Sequence, residues 1–366
     1  MTTFLNNQRR GLNRPPVKHI LRVALCTTML LAFVPGCTTN GNSASGNQVN
    51  FIDWTAEITD QATPLGLVPG IYRDVAWLDS DRIAFLYASG PDVERHDYQL
   101  AIYTPNEGLQ TLTFQKPAMC IRGRIALLER LPNGKLGFIY TCSVYHGNVT
   151  GEISSLYTWD DQSNSFQELQ QYPENFSGGS YAFAPDMTEL LQDTWTGPGA
   201  NQLYRVNQDG QMERLFPDFQ SAISPSWSPD GQTIAFVGLK THLGTVESLN
   251  DVTELVHYPN NIYLVDGDGK NLHSILSGIV MGGGTEWSPL GKLLSFGGQY
   301  QGIDGLWIFN TLSLQVTRIW SYPPATDWSP DGKQMVVIQT VNQNGVELDV
   351  PVIINLPMEL YDESRE

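Results

Sequence analysis

Short apolar runs, rich in β-branched and aromatic residues, recur along the chain, and residues typical of tight turns come before each run. Thr233 to Val237 and Lys333 to Ile338, for example, each follow the turn sequence Ser-Pro-Asp-Gly. A run of this length, bounded by Pro, Asp and Gly, is typical of a β-strand in a hairpin. The pattern therefore predicts a protein built from β-hairpins.

The turn sequence belongs to a longer unit that repeats. Trp-Ser-Pro-Asp-Gly occupies residues 227–231 and 328–332, and Trp-Ser-Pro-Leu-Gly occupies residues 287–291. Weaker copies begin at Trp77, Arg130 and Phe183, which makes six copies in all. A third strand-like run follows in each unit, and some units add a fourth. Such repeats predict a β-propeller, because one unit buries its apolar face only against a neighbour.

We therefore predict an all-β fold, a six-bladed β-propeller of four-stranded antiparallel blades. The last unit has no convincing fourth strand after Ile354, whereas the run from Phe51 to Ile58 has a strand-like pattern. We expect this N-terminal strand to complete the sixth blade, which closes the ring and removes exposed strand edges. The residues expected to build the repeat are Trp77, Trp227, Asp230, Trp287, Trp328 and Asp331.

The unit Trp-Ser-Pro-Asp-Gly, followed by Ile-Ala-Phe and then Ile-Tyr-Leu-Val-Asp-Gly-Asp-Gly, resembles the TolB-type propeller repeat, also called the WD40-like or PD40 repeat. Its best copies lie between Ser221 and Gln339, and the resemblance covers about residues 51–360. It implies a six-bladed propeller and, for TolB-like proteins, an extracytoplasmic interaction scaffold. The motif specifies the fold better than the function, because the Trp and turn residues pack the blade.

Residues 1–36 have the pattern of an export signal. Five basic residues and no acidic residue precede an apolar run, Val23 to Val34, that is too short to span a bilayer. The run ends at Val34-Pro35-Gly36-Cys37, which resembles the lipoprotein processing box except for Pro35. The resemblance implies cleavage before Cys37 and acylation of its thiol; ordinary secretion and an uncleaved anchor are the alternatives. Residues 37–50 are expected to form a flexible tether, residues 51–360 the propeller and residues 361–366 an acidic tail.

The charge distribution bears on the choice of partner. Beyond the leader, the chain carries 16 basic and 38 acidic groups, a net charge of −22. A body this acidic repels phosphate backbones and anionic lipid head groups. We therefore expect no nucleic-acid binding. Membrane contact is expected only through the lipid anchor, with the protein a monomer in the bacterial cell envelope.

Cys120 and Cys142 are the two cysteines of the propeller. Outside the cytosol, two such thiols can form a disulfide. A hairpin turn at Asn133-Gly134, however, sets Cys142 opposite residue 125 and not opposite Cys120, which disfavours closure. The sequence leaves both states open.

No familiar catalytic or metal-binding motif is present. The sequence lacks the Gly-x-Ser-x-Gly elbow, His-Glu-x-x-His, Cys-x-x-Cys and the Walker-type glycine loop. Asp266-Gly267-Asp268-Gly269 is typical of a hairpin turn more than of a calcium loop, because no acidic ligand follows it. We therefore expect a non-catalytic protein with no catalytic residue, metal or cofactor.

The two faces of the predicted propeller differ in loop length. Because strands alternate in direction, the second-to-third and interblade loops share one face, here called the long-loop face, and the Ser-Pro-Asp-Gly turns share the other, the turn face. Rigid scaffolds often carry function on their loops. We predict that a protein, peptide or glycan binds the long-loop face. The alternatives are a hydrolase or lyase built from scattered loop residues, and a structural envelope component. The candidate contact residues are Tyr145, His146, Trp195, His242, His257 and Tyr300.

Overall fold

The computed structural model describes residues 51–67, 70–88, 98–146, 149–172, 178–195, 201–240 and 260–361. The export signal, the tether with Cys37 and the predicted tail beyond Tyr361 lie outside these residues, as do His242 and His257. No helix in the described part of the chain is long and apolar enough to cross a membrane.

Strands make up nearly all the regular structure of the described residues. The N-terminal segment contains β1 (Phe51–Asp53), the helix α1 (Thr55–Gln61) and β2 (Thr63–Pro64). The first sheet contains β3 (Ile71–Trp77), β4 (Ile83–Ala88), β5 (Gln99–Thr104) and β6 (Gly108–Thr111). The second sheet contains β7 (Arg122–Arg130), β8 (Leu136–His146), β9 (Val149–Asp160) and β10 (Ser165–Gln171). The third sheet contains β11 (Gly178–Phe183), β12 (Glu189–Trp195), β13 (Asn201–Asn207) and β14 (Met212–Arg214).

The C-terminal half forms a sheet of eight strands and a last sheet of four. The eight-stranded sheet contains β15 (Ser221–Trp227), β16 (Thr233–Leu239), β17 (Asn260–Asp266), β18 (His273–Trp287), β19 (Leu293–Tyr300), β20 (Ile303–Asn310), β21 (Val316–Trp320) and β1. The last sheet contains β22 (Thr326–Trp328), β23 (Gln334–Gln343), β24 (Val346–Asn355) and β2. A 3₁₀-helix, Met358–Tyr361, follows it.

Apolar clusters join each sheet to the next. Phe138 of the second sheet shares a cluster with Leu86 of the first, and Val336 of the last sheet shares one with Phe85. The inner strand β3 contacts both β7 and β22, so the succession of sheets closes on itself. The prediction of an all-β protein with a propeller-like arrangement is therefore confirmed.

The N-terminal segment differs from the single strand predicted for residues 51–58. β1 pairs in parallel with β21, whereas β2 pairs with β24 and supplies the fourth strand of the last sheet. Between them, Trp54 and Ile58 join the apolar cluster that contains Leu293 and Trp320. Two apolar residues four positions apart lie on one face of a helix, and this spacing explains why the chain forms α1 there.

The Ser-Pro-Asp-Gly turns are held by the side chains of their own Ser and Asp. Ser228 Oγ donates to Asp230 Oδ1 at 2.6 Å and accepts from Thr233 N at 2.9 Å. The last residue of the motif, Gly231, has a φ of 69°, which Gly adopts without strain. Ser329 and Asp331 repeat the same Ser-to-Asp bond at 2.7 Å.

Cys120 and Cys142 form a disulfide, with their Cα atoms 5.4 Å apart. The predicted register of this hairpin is wrong by two residues, because Cys142 lies opposite Gly123. One residue of the difference arises in the turn, where Leu131 N donates to Lys135 O. The other arises at a bulge between Ala126 and Glu129, where Leu127 has a φ of 56°.

Candidate functional site

A channel runs along the inner strands of the ring. It contains a cavity of about 860 Å³, lined by residues of β3, β7, β11, β15, β22 and the C-terminal part of β18. Prolines of the inner hairpin turns, such as Pro132 and Pro229, also line the cavity, which therefore extends to the turn face. A volume of this size is within the range of small-molecule sites, roughly 300–1,000 Å³.

Four carboxyl side chains line this cavity, and three of them occupy one position of the repeat. Glu129, Glu286 and Asp327 each stand immediately before the residue aligned with the repeat Trp. The fourth, Asp74, lies three residues before Trp77. Since the strands that carry the first three end within a residue or two of them, these carboxyls lie toward the turn face. We call Asp74, Glu129, Glu286 and Asp327 the channel carboxyls.

Two of the channel carboxyls tie neighbouring sheets together. Asp74 Oδ2 accepts a hydrogen bond of 2.8 Å from Leu128 N of the second sheet. Asp327 Oδ2 accepts from Trp77 N of the first sheet, and Asp327 Oδ1 accepts from Trp328 N at 2.7 Å. A carboxylate can satisfy backbone donors that a bulged inner strand leaves unpaired.

The surroundings favour the protonated forms of these groups. The pKa of Asp74 is raised to about 6, chiefly by burial and to a smaller extent by the neighbouring Asp327, while backbone hydrogen bonds oppose the increase. Burial and then repulsion from Asp327 raise the pKa of Glu129 and of Glu286 well above the usual range. Burial also raises the pKa of Asp327, although the hydrogen bond from Glu286 opposes this effect. Glu286 and Asp327 therefore form a hydrogen-bonded pair that retains a proton.

Glu129 has capacity for a further partner. Its Oε2 atom is buried and has no hydrogen-bond partner among the described residues. Glu129 is close enough to Tyr172 and Tyr181 to raise the pKa of both phenols, after the larger effect of burial. A buried polar atom left unpaired costs about 1–3 kcal/mol, so a donor that reached Glu129 Oε2 would recover this cost.

The described residues contain no group of three or more His, Cys, Asp or Glu side chains arranged to hold a metal ion.

The residues predicted from the sequence lie elsewhere. Tyr145 is 67% exposed near the end of β8 and is not among the residues that line the channel cavity, and Trp195 is the last residue of β12. The predicted exposure of Tyr300 is wrong: it is 5% exposed and packs edge-to-face against Trp307 at 5.4 Å. His146 ends β8.

The sequence analysis missed the channel carboxyls, although a signal for them exists. When the repeats are aligned on the Trp position, the preceding residue is Glu, Glu or Asp in three copies, Ser226 in a fourth, and Ala76 or Ala182 in the others. A buried inner strand rarely carries an acidic residue without a reason. The same position in three copies therefore points to one shared surface.

The solved structures that are similar to this chain include a TolB protein and an oligogalacturonate lyase. TolB from Acinetobacter baumannii has a TM-score of 0.51 at 16% identity, over 76% of this chain and 64% of that one. An oligogalacturonate lyase in complex with manganese has a TM-score of 0.50 at 15% identity, over 82% of this chain and 94% of that one. This chain thus spans less than two thirds of the TolB chain. No protein-family model and no curated protein sequence matches it.

At such identities the likeness shows the fold alone. It nevertheless overturns the expectation of a non-catalytic protein, which is wrong as an inference from fold and missing motifs, because an enzyme has the same architecture. A propeller can assemble a catalytic site from side chains of several sheets, without a contiguous motif. An enzymatic role is therefore open.

Proposed function

We infer that the ring has six blades, with the eight-stranded sheet counting as two. β18 pairs with β17 through its first part and with β19 through its second part, and the two pairings meet at Ile279. Its first part is thus the outer strand of one blade, and its second part is the inner strand of the next. β1 adds a fifth strand to the outer edge of that second blade.

The protein is proposed to act outside the cytoplasm, tethered through an acylated Cys37. The leader and the box that ends at Cys37 support this location. The disulfide between Cys120 and Cys142 supports it independently, because such bonds persist mainly in oxidising compartments.

We propose that the central channel binds a cationic group, such as the ammonium of a lysine side chain or the guanidinium of an arginine in a peptide segment. The observation that carries this proposal is the buried, unpaired Glu129 Oε2 beside three further carboxyls in an open cavity. Among the described residues that line the cavity, Arg130 is the one basic residue, and its Nε donates to Leu78 O. A ligand cation would therefore meet several acceptors and little competition.

Binding of a cation would change the proton content of the site. Burial and mutual repulsion favour the protonated forms of the channel carboxyls, whereas a bound cation favours their ionised forms. Binding should therefore release protons, and the affinity should rise with pH.

The test is calorimetric titration with pentalysine at pH 6 and pH 8, in two buffers of different ionisation enthalpy. We expect tighter binding at pH 8, proton release at both values, and at least a tenfold loss of affinity in the double variant Glu129→Gln, Glu286→Gln. The matched control, Glu107→Gln with Glu213→Gln, removes the same charge from exposed positions. Equal losses in both double variants would show binding to the acidic surface in general and reject the channel as the site.

A second function, acid–base hydrolysis, is favoured by the Glu286–Asp327 pair. In a carboxyl pair that shares a proton, the ionised member can take a proton from water as it attacks a carbonyl carbon, while the protonated member donates to the carbonyl oxygen. The first carboxyl then gives its proton to the amide nitrogen as the C–N bond breaks, and the second takes its proton back as the carbonyl re-forms, which leaves a carboxylic acid and an amine and restores the pair. The discriminating measurement is product formation from a pool of short peptides. Cleavage that Glu286→Gln abolishes, while pentalysine binding persists, would support catalysis over binding alone.

A further inference from the structure

A second cavity lies away from the channel, between the first and second sheets. It measures about 600 Å³ and opens where β5 and β7 begin, which is their long-loop end. Its lining comes from the start of these two strands, from the connection that follows β6, and from Tyr140 of β8. We call it the interblade cleft.

The interblade cleft is cationic in an acidic protein. Among the described residues that line it there is no Asp or Glu, whereas Lys116 and Arg122 are present, and both are exposed. Neither forms an ion pair with a described residue; Lys116 Nζ instead donates to Ile121 O at 2.8 Å. Arg73 lies beside the cleft, where its Nε donates to Tyr98 Oη at 2.7 Å. Unpaired cations at one place on a body with a net charge of −22 attract an anionic ligand.

Tyr140 also lines the cleft. The residue is 6% exposed. Its position depends on Gly123, since a Cβ atom built there would lie 2.0 Å from Tyr140 Oη. The absence of a side chain at Gly123 therefore leaves room for the phenol of Tyr140 next to Arg122.

The connection that carries Lys116 is fixed in place. Cys120, at its end, is bonded to Cys142 of β8, and Cys120 N donates to Pro117 O at 3.0 Å. Ile121 N then donates to Ser143 O, also at 3.0 Å. Groups held in position before a ligand arrives lose less entropy on binding, so the disulfide preorganises the cleft.

We propose that the interblade cleft binds an acidic saccharide, a sugar chain that carries carboxylate groups. Lys116 and Arg122 would bind a carboxylate, with Arg122 able to do so through two N–H groups. Tyr140, Gln99 and Thr113 would exchange hydrogen bonds with sugar hydroxyls, since each of these groups both donates and accepts. Tyr98 offers a half-buried aromatic face for the sugar ring.

The hydroxyl and amide groups favour a sugar over an acidic peptide. An extended peptide commonly binds along a free sheet edge through its backbone. Here β5 is paired on both sides, and β6 and β7 are edge strands of their sheets, so the pentaglutamate probe below tests the peptide directly. The cleft therefore offers side-chain donors and acceptors in a compact space, and a volume typical of small-ligand sites.

The experiment measures the dissociation constants of four probes by titration calorimetry: a linear trisaccharide of hexuronic acid, neutral maltotriose, a pentaglutamate peptide and inorganic phosphate. We expect the acidic trisaccharide to bind at least tenfold more tightly than the other three. Added salt should weaken its binding, because partly exposed charge pairs are screened.

Three variants locate the binding. The double variant Lys116→Gln, Arg122→Gln should weaken binding of the acidic trisaccharide at least tenfold. Tyr140→Phe, which keeps the ring, should weaken it several-fold with an unchanged melting temperature. The matched control Lys270→Gln, Lys333→Gln removes two exposed cations at hairpin turns and should leave binding unchanged.

Several results would overturn the proposal. Tighter binding of pentaglutamate would make the cleft a peptide site, and equal binding of phosphate would reduce it to a simple anion site. No measurable binding of the trisaccharide, or binding that the Lys116 and Arg122 substitutions leave intact, would reject the cleft altogether. The channel variant Glu129→Gln, Glu286→Gln should bind the trisaccharide normally, which keeps this proposal separate from the cation site.

Discussion

Asp193 should make the stability of the protein fall as the pH rises from about 4 to about 7. This carboxyl is 3% exposed, and its Oδ2 accepts a hydrogen bond of 2.8 Å from Ser224 N of β15. Burial raises its pKa to about 6, against hydrogen bonds from Ser224 and Ser180 that lower it. A Cβ atom built on Gly179 would lie 1.6 Å from Asp193 Oδ1, so the carboxyl fills space that a side chain would occupy.

The sign follows from the two pKa values. In the unfolded chain an Asp ionises near pH 3.9, whereas folded Asp193 keeps its proton to about pH 6. Between these values the native state binds more protons than the unfolded state, so stability decreases as the pH rises. The difference of about two pH units corresponds to about 3 kcal/mol at 1.36 kcal/mol per unit. The loss is complete at about pH 7 and absent below about pH 4.

The assay is urea unfolding of the wild type and of Asp193→Asn, followed by tryptophan fluorescence and by far-ultraviolet circular dichroism from pH 4 to pH 7.5. Asn keeps an oxygen for Ser224 N–H but does not ionise, so subtraction removes the titration of all other groups. We expect the wild type to lose about 3 kcal/mol relative to the variant as the pH rises.

Asp186 provides a control of opposite sign. It lies in an exposed turn, and hydrogen bonds from the Thr188 hydroxyl and backbone lower its pKa. The advantage of the wild type over Asp186→Asn should therefore grow as the pH rises from acid values. Parallel stability curves for the wild type and Asp193→Asn between pH 4 and pH 7 would refute the reasoning about burial.

Three further predictions concern the closing segment, the disulfide and the anchor. Ile58→Ala should lower the free energy of unfolding by about 2–5 kcal/mol, because Ile58 is 3% exposed. The control Ile303→Ala, at 38% exposure, should change it by less than about 1 kcal/mol. Equal effects of the two variants in urea unfolding would contradict the role of α1. The double variant Cys120→Ser, Cys142→Ser should lower the free energy of unfolding by about 3 kcal/mol in the same assay and weaken binding of the acidic trisaccharide. If reducing the wild type changed neither property, the result would argue against the bond. Cys37→Ala should release the protein from membranes in cell fractionation, and a variant that stays membrane-bound would reject acylation.

The repeat made the architecture predictable, and local irregularities made the details unpredictable. The turns at Asp230 and Asp331 could be predicted from the sequence, because each Asp accepts hydrogen bonds from groups within a few residues of it. The register that brings Cys142 opposite Gly123 depends on a bulge at Leu127, where a non-glycine residue takes a positive φ. Neither composition nor periodicity marks such a residue.

Contacts between strands and between distant segments also limited what could be predicted from the sequence. Tyr300 follows a glycine pair and precedes a turn, so the sequence suggested exposure, but Trp307 of the next strand covers its ring. The helix α1 was likewise hidden in a segment of seven residues, where helical and strand-like spacing are hard to separate. The deciding contact comes from the neighbouring strand for Tyr300, and from residues far along the chain, such as Leu293 and Trp320, for α1.

The channel carboxyls divide into two pairs with different consequences. Asp74 and Asp327 accept backbone N–H groups of a neighbouring sheet, so their loss leaves buried donors unpaired and should act mainly on stability. Glu129 and Glu286 accept no backbone hydrogen bond in the described structure, and removing their charge relieves repulsion from Asp327. Burying a carboxyl group is costly, and Glu129 and Glu286 do not offset this cost by accepting a backbone N–H. We therefore explain these two side chains by the ligand that they bind. Substitutions at Glu129 and Glu286 can therefore separate the function of the channel from its folding, whereas substitutions at the two aspartates cannot.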